Sequence, residues 1–392
     1  MKQILFALFV LSATLQAISL NEIIETSLRK SPSLESMNAR ITANRQEIDI
    51  ANQFTNPELL LTKNTLPSNQ AMSQTVLTFK QKIPYFGQRE TKQHVAIAED
   101  EVLNKKLQFA KVSLVGMIKQ EAYTIWELTK LKDIITQYIE LTKRNIMLHE
   151  AYVSTTDNQH MGIMKAKLSL SELEIKISKL NAKITAAYAR LSYLASFKIT
   201  HLDIALQIAN KPDLTQLLNT LGENPSLAIK EKEVSKESAK VLLADINKYP
   251  DFSLVAGFAY RENFDNYANV GIGMTLPIYG SEDIKEEKAK AMLLSMQSQT
   301  SDVKIVIQSK LKSYYAQMKS AYEIYHIIQD NALPQVKHMF EISNSSISIG
   351  SDLFKYIDVL FQRLKLEEQS VTAISNYNKA QAKIAELTGA LQ

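Results

Sequence analysis

The chain has 392 residues, 45% hydrophobic and 22% charged, with 10 Gly, 9 Pro, 6 His and no Cys. At the usual ~100–200 residues per domain, this length suits two or three globular domains or one long repetitive architecture. The lack of cysteine excludes a disulfide scaffold, thiolate metal sites and thiol catalysis, and a formal charge of +4 gives no dominant field pointing to nucleic acid.

Residues 1–17 are predicted to form a signal peptide. Lys2 supplies the positive start, Ile4 to Leu11 an apolar core, and Ala17 a small residue at a plausible cleavage point. The apolar run is too short for a spanning helix, which needs about 20 residues; the alternative is an apolar core segment. No later segment is apolar enough for a transmembrane helix, so any membrane span must be a β-barrel.

Residues 18–197 are predicted as a first structural repeat. It comprises a helix, two strands at 57–66 and 72–83, a long helix at 88–153 and a return helix at 164–197. The first helix starts at Pro32 with Ser31 as N-cap, and Pro57 begins extended chain. In the second strand Thr75, Leu77, Phe79, Gln81 and Ile83 oppose Val76, Thr78, Lys80 and Lys82. From Gln88 to Val153 there is no Pro and one Gly, Gly116. At ~1.5 Å per residue that helix spans roughly 100 Å. Leu103, Leu107, Ala110, Leu114, Met117, Ile118, Ile125, Leu128, Leu131, Ile134, Ile135, Tyr138 and Leu141 make a coiled-coil-like seam. Glu99, Asp100, Lys105 and Lys106 read as a solvated face. Residues 154–162, rich in Ser, Asn and Asp, form the turn before the return helix. A linker over 198–211 ends at Pro212.

Residues 212–392 repeat the same order: a helix, strands at 250–260 and 268–277, a long helix at 281–342 interrupted by Pro334, and a return helix at 352–389, preceded by a turn at 343–351. Ser31-Pro32-Ser33-Leu34 returns as Asn224-Pro225-Ser226-Leu227, Pro57 as Pro250, Pro84 as Pro277 and Gly87 as Gly280, each 193 residues on. A repeat of this length is a duplicated half-molecule. Phe252, Leu254, Ala256, Phe258 and Tyr260 alternate with Asp251, Ser253, Val255, Gly257 and Ala259; Val270, Ile272, Met274 and Leu276 alternate with Asn269, Gly271, Gly273 and Thr275. Period two means one apolar face and one small or polar face. One such hairpin alone suits a soluble sheet lying on a core, whereas two equivalent ones in an exported chain match a transmembrane barrel. Four strands cannot close a barrel, since the smallest have about eight, and open edges in lipid are costly. Three copies would supply twelve.

With those elements in place, Lys80-Gln81-Lys82-Ile83-Pro84-Tyr85-Phe86-Gly87-Gln88-Arg89 and Thr275-Leu276-Pro277-Ile278-Tyr279-Gly280 resemble the strand-to-helix exits of the TolC-type outer membrane factor family. Leu333-Pro334 and Asp358-Val359-Leu360 are also similar to that family. Proline followed by an aromatic and Gly is most similar to its divalent-metal efflux branch. The resemblance implies an α+β membrane protein in the cell outer membrane with a periplasmic extension. Duplicated long helical hairpins would form an α-barrel, and four transmembrane strands per protomer would close a 12-stranded β-barrel as a homotrimer. It implies docking to a periplasmic adaptor protein and an inner-membrane pump, and passive export of small molecules or metal ions with no cofactor. The lipid-facing side of the barrel would be Leu77, Phe79, Phe252, Leu254, Phe258, Val270, Ile272 and Met274, with strand-to-helix turns at Pro84, Gly87, Pro277 and Gly280. For the periplasmic gate the resemblance implies an acidic ring at Asp358. The family's second acidic position is Phe361 here, so a single or partly apolar ring is expected. Asp352 either faces the pore or caps the return helix.

His160, Met161 and Met164 could suit a soft metal or pack against a neighbouring hairpin. Trp126 lies beside the long-helix seam as a packing residue. No Gly-x-Ser-x-Gly, His-Glu-x-x-His or P-loop is present, so no enzyme is expected. Two functions compete: an efflux conduit, and an exported coiled-coil adaptor or adhesin without a pore. An adaptor needs no stripe of Phe252, Leu254, Phe258 and Ile272.

Overall fold

The computed structural model describes residues 18–64, 73–151, 157–209, 211, 213–262, 264–347 and 353–390. The expected signal peptide, Pro212 and Asp352 lie outside the described residues, as do parts of both turns between long and return helices.

A short strand β1 (Ile18–Ser19) leads into α1 (Leu20–Lys30) and α2 (Pro32–Ala51). Strands β2 (Glu58–Lys63) and β3 (Gln74–Ile83) precede α3 (Gln88–Ala151) and α4 (Asp157–Ala195). Strand β4 (Leu202–Asp203), α5 (Leu214–Asn219) and a 3-10 turn (Thr220–Glu223) connect to α6 (Pro225–Ile246). There follow β5 (Phe252–Arg261), β6 (Tyr267–Met274), α7 (Ser281–His326), a π turn (Ile327–Ala332), α8 (Leu333–Ile347) and α9 (Leu353–Thr388).

Local chemistry explains these limits. Asn224 accepts the Leu227 N–H at 2.9 Å and Pro225 opens α6, a side-chain cap followed by a residue with no N–H to leave orphaned. Ser31 ends α1, its N–H donating to Ser27 O at 2.9 Å. Gly87 and Gly280 turn the chain from strand to helix with φ of +83° and +68°, the left-handed region that a Cβ disfavours. Pro334 shapes the expected interruption of the second long helix. It cannot donate to the carbonyl four residues back, and the ladder widens just before it, so that the Leu333 N–H reaches Ile328 O.

Some boundaries differ from the sequence expectation. α4 begins at Asp157, not Met164, so the latter part of the stretch expected as a turn is helical. β2 spans Glu58–Lys63 within the expected 57–66. β6 stops at Met274, short of Pro277, which has no N–H for a ladder. Helix α1 and the parallel pair β1–β4, with Ile18 opposite Leu202, lie in segments to which no element was assigned.

The chain forms two compact units that are not the two sequence halves. One comprises Ser33–Ala110 and Gly222–Ile307; the other comprises Met1–Pro32, Lys111–Leu221 and Gln308–Gln392. Each draws on both halves of the duplication.

The first unit holds a four-stranded antiparallel sheet in the order β2-β3-β5-β6. Below it α3 and α6 are joined by ion pairs: Glu99 with Lys236 at 3.0 Å, Glu101 with Lys232 at 2.8 Å, and Lys106 with Glu233 at 3.0 Å. The sequence placed Glu99 and Lys106 on a solvated face; they hold a helix–helix contact instead.

In the second unit α9 packs against both α3 and α4. Against α3 it runs antiparallel, with Asn145 bonded to the Tyr356 hydroxyl at 3.1 Å and Lys379 to Glu127 at 2.8 Å. Against α4 it runs parallel, through Lys165 with Asp358 and Lys176 with Glu368. The core is Ile118, Ile125, Ile135, Leu173, Leu191, Leu311, Met318, Tyr356, Leu360 and Tyr377. A single seam is therefore too narrow a description of α3. Val112, Val115, Ala122 and Trp126 are buried while Met117 is exposed, because α3 meets α9 and also α4, through Glu121 with Arg190 at 2.8 Å and Lys143 with Glu174 at 3.3 Å, and a helix packed on two sides buries a broader stripe than a two-stranded coil.

Candidate functional site

The sheet register decides which residues share a face. Leu61 pairs with Leu77, Leu77 with Phe258; Leu59 pairs with Phe79, Phe79 with Ala256, Ala256 with Val270. Leu254 pairs with Ile272, and Ile83 with Phe252, itself opposite Met274. Directly paired residues point to the same side, so Leu77, Phe79, Phe252, Leu254, Phe258, Val270, Ile272 and Met274 form one surface. They are exposed, Val270 by 77% and Ile272 by 81%. Soluble monomers rarely expose a contiguous apolar surface of this extent.

The register adds Leu59, Leu61 and Tyr260 to this face. Sequence reasoning missed the two leucines because Leu59-Leu60-Leu61 has no alternation; only the partner strand assigns their sides. Tyr260 had been grouped with the apolar residues of its strand but not singled out.

The opposite face is mostly polar or small, with Leu60, Val76 and Val255 as its larger apolar members. Thr78 pairs with Gly257 and Gly257 with Asn269; Lys82 pairs with Ser253 and Ser253 with Gly273. Lys80 lies 3.8 Å from Glu58, and Lys82 lies 2.9 Å from Asp251. Asp251 also accepts the Tyr85 N–H at 3.3 Å. Thr55, Glu58, Lys80, Lys82, Asp251 and Ser253 line a concavity of about 500 Å³. Two such faces back to back can separate an apolar medium from water.

At the strand-to-helix turns, Tyr85 beside Pro84 stacks on Tyr249 with ring centroids 4.5 Å apart. The equivalent aromatics Phe86 and Tyr279 stand out by 89% and 90% exposure.

Among the gate candidates, Asp358 is bound to Lys165, Nζ to Oδ1 at 2.5 Å. Phe361 is half-buried. Further along α9, Glu367 holds Arg363 at 2.9 Å and Glu368 holds Lys176 at 2.5 Å. All three carboxylates face cations. Met161 and Met164 are both exposed, His160 beside them likewise. Among the described residues no group of three or more His, Asp or Glu side chains is placed to hold a metal ion, and no helix is long and apolar enough to cross a membrane.

A carboxyl outside the expected set is Glu386, pushed above its ordinary range by burial although Ser113, Lys310 and Lys383 act in the other direction. It lies against Gly116, where an added Cβ would come within 2.8 Å of its Oε2.

A four-stranded sheet with one apolar face, two left-handed glycine turns and paired long helices together define the fold of the TolC-type outer membrane channels. No protein-family model and no curated protein matches the chain; solved structures do. The open-state MtrE outer membrane channel of Neisseria gonorrhoeae is similar with a TM-score of 0.81 at 12% identity, covering 95% of this chain and 89% of that one. The outer-membrane channel OprN is similar at 0.78 and 16% identity, covering 95% and 90%. The Campylobacter jejuni CmeC outer membrane channel is similar at 0.78 and 12% identity, covering 95% and 85%.

Proposed function

We propose that this chain is the outer membrane channel of a tripartite efflux system. It would be a passive, gated path from periplasm to exterior for small molecules or metal ions, working with a periplasmic adaptor and an inner-membrane pump. The observation that carries this is the register: Leu77, Phe79, Phe252, Leu254, Phe258, Val270, Ile272 and Met274 fall on one exposed face, with a mostly polar or small face carrying Lys80, Lys82 and Asp251 behind it. An apolar face of this kind is stable against lipid, and its polar reverse suits a water-filled lumen.

The same sheet argues for assembly. β2 and β6 are its outer strands, and an unpaired strand edge in hydrocarbon costs several kcal/mol per polar group. Pairing β2 of one copy with β6 of the next removes every edge, and three copies make a barrel of twelve strands. In such a trimer the hairpins of the second unit line the periplasmic path, with Asp358 and Phe361 at its narrowing. The similar solved structures, which are outer membrane channels, support this assignment.

The test is extraction and conductance. Full-length protein expressed with its leader should require detergent, migrate as a trimer that heating converts to monomer, and conduct ions in planar bilayers. A freely soluble monomer without conductance would return the protein to the adaptor or adhesin class.

A further inference from the structure

One row of the apolar face is unlike the rest. Lys63 pairs with Thr75, and Thr75 with Tyr260. Paired residues share a side, so these three stand next to the row of Leu61, Leu77 and Phe258. Among the paired strand residues, Lys63 carries the only formal charge on this face. Gln81, a polar member further along, donates to Thr55 O at 2.9 Å and Lys82 O at 2.8 Å, so its amide is satisfied within the chain. Lys63 is exposed, and among the described residues no carboxylate lies within ion-pair distance of it. Lys80 and Lys82 on the reverse face meet Glu58 and Asp251.

The place of this row along the strands is also particular. Ile83, Phe252 and Met274 form the row nearest the glycine turns that lead into the long helices. Thr75 lies eight residues back along β3, roughly 27 Å at ~3.4 Å per residue. Strands tilted by about 40° turn that into roughly 20 Å of height, close to the ~25 Å apolar band of an outer membrane barrel. Lys63, Thr75 and Tyr260 therefore mark the rim of the band, at the end away from the helices.

On the channel assignment above, which this inference needs, the helices are periplasmic and the rim meets the outer leaflet. An ammonium group is costly in hydrocarbon, so a lysine at the rim lays its stem on the apolar surface and sets its charge among the headgroups. There the row offers an ammonium beside two hydroxyls, all donors to an anion rich in acceptor oxygens. Neighbouring strands are ~4.8 Å apart, so the three residues span about 10 Å. The anions at that depth of a bilayer are lipid phosphates. We propose that Lys63, Thr75 and Tyr260 bind the headgroup phosphate of an anionic outer-leaflet lipid, whose acyl chains run down the row of Leu61, Leu77 and Phe258.

The full-length protein in non-ionic detergent, titrated with diphosphoryl lipid A and followed by native mass spectrometry, tests this. The wild type should hold the lipid, less tightly as salt rises. K63M should weaken binding about fivefold, the factor for one lysine at an anionic membrane surface. K63R should keep it, Y260F should weaken it less than K63M, and K80M on the reverse face should bind as wild type does. Dephosphorylated lipid A should bind wild type and K63M alike, and inorganic phosphate should not compete.

Equal binding of diphosphoryl lipid A by wild type and K63M overturns the site. A loss in K63M that is as large with the dephosphorylated lipid overturns the role of the phosphate, and competition by inorganic phosphate overturns a lipid as the ligand. Wild-type protein that inserts into no phosphatidylcholine vesicle fails the channel assignment itself, and the lipid site falls with it.

Discussion

Gly87 and Gly280 stand 193 residues apart and take the same left-handed backbone, φ +83° and +68°, at the point where a strand turns into a helix of 64 residues in one half and 46 in the other. Their surroundings differ. A Cβ on Gly87 would meet Ile246 Cδ1 at 3.1 Å, whereas one on Gly280 would meet nothing within 4 Å.

Replacing either by alanine should therefore cost about 1–2 kcal/mol from backbone strain. G87A should cost more than G280A, because Ile246 must also give way. Urea unfolding of the detergent-solubilised protein, or the temperature at which an oligomer band is lost, would rank the two. Equal effects would mean that the turn alone sets the cost.

The two faces of the sheet should differ sharply toward charge. I272R places a cation on the apolar face and should lower the stability of the membrane-inserted form by roughly 2–4 kcal/mol if the site lies near mid-bilayer. G271R, one residue earlier and on the other face, where a Cβ meets nothing within 4 Å, should insert nearly as wild type does. Folding yield into phospholipid vesicles measures both. Equal tolerance at 271 and 272 would remove the distinction between lipid and lumen.

Glu386 makes stability depend on pH in a definite direction. Burial holds its carboxyl above the ordinary 4.5, so the native state binds the proton more tightly than the unfolded chain. That contribution is fully present below pH 4.5 and is lost as pH rises through the raised native value. E386Q should be more stable than wild type at pH 7, with the gap closing or reversing near pH 4. Thermal unfolding at the two pH values tests it.

G116A should act on the same carboxyl from the other side. The new methyl would fall 2.8 Å from Glu386 Oε2, the end of a flexible side chain that can swing outward. The displaced carboxyl regains water and its pKa falls toward the ordinary value. In G116A the difference in stability produced by E386Q should shrink at pH 7. A difference as large as in the Gly116 background would show that Glu386 does not depend on this gap.

Much of the fold was legible one residue at a time. Proline and glycine act through their own backbone chemistry, so Pro32, Pro225, Gly87 and Gly280 marked helix starts and strand-to-helix turns wherever they recurred. Alternation in β5 and β6 likewise exposed their two faces, because a strand's side chains change sides at every residue. The register of β2 was not legible: three consecutive leucines satisfy either face. The start of α4 was hidden by residues that favour turns and helix N-termini alike, and the breadth of the α3 core by its having two packing partners at once.

What the sequence determined by itself was the duplication, the element order and the apolar side of the alternating strands, all consequences of local geometry repeated along the chain. Only the tertiary structure decided which charges meet. It put Glu99 on Lys236, Glu386 beside Gly116 and Asp358 on Lys165, giving the expected acidic position a cation for a neighbour. Those pairings join residues scores of positions apart, and composition or spacing along one strand or helix carries no record of which distant side chain arrives beside it.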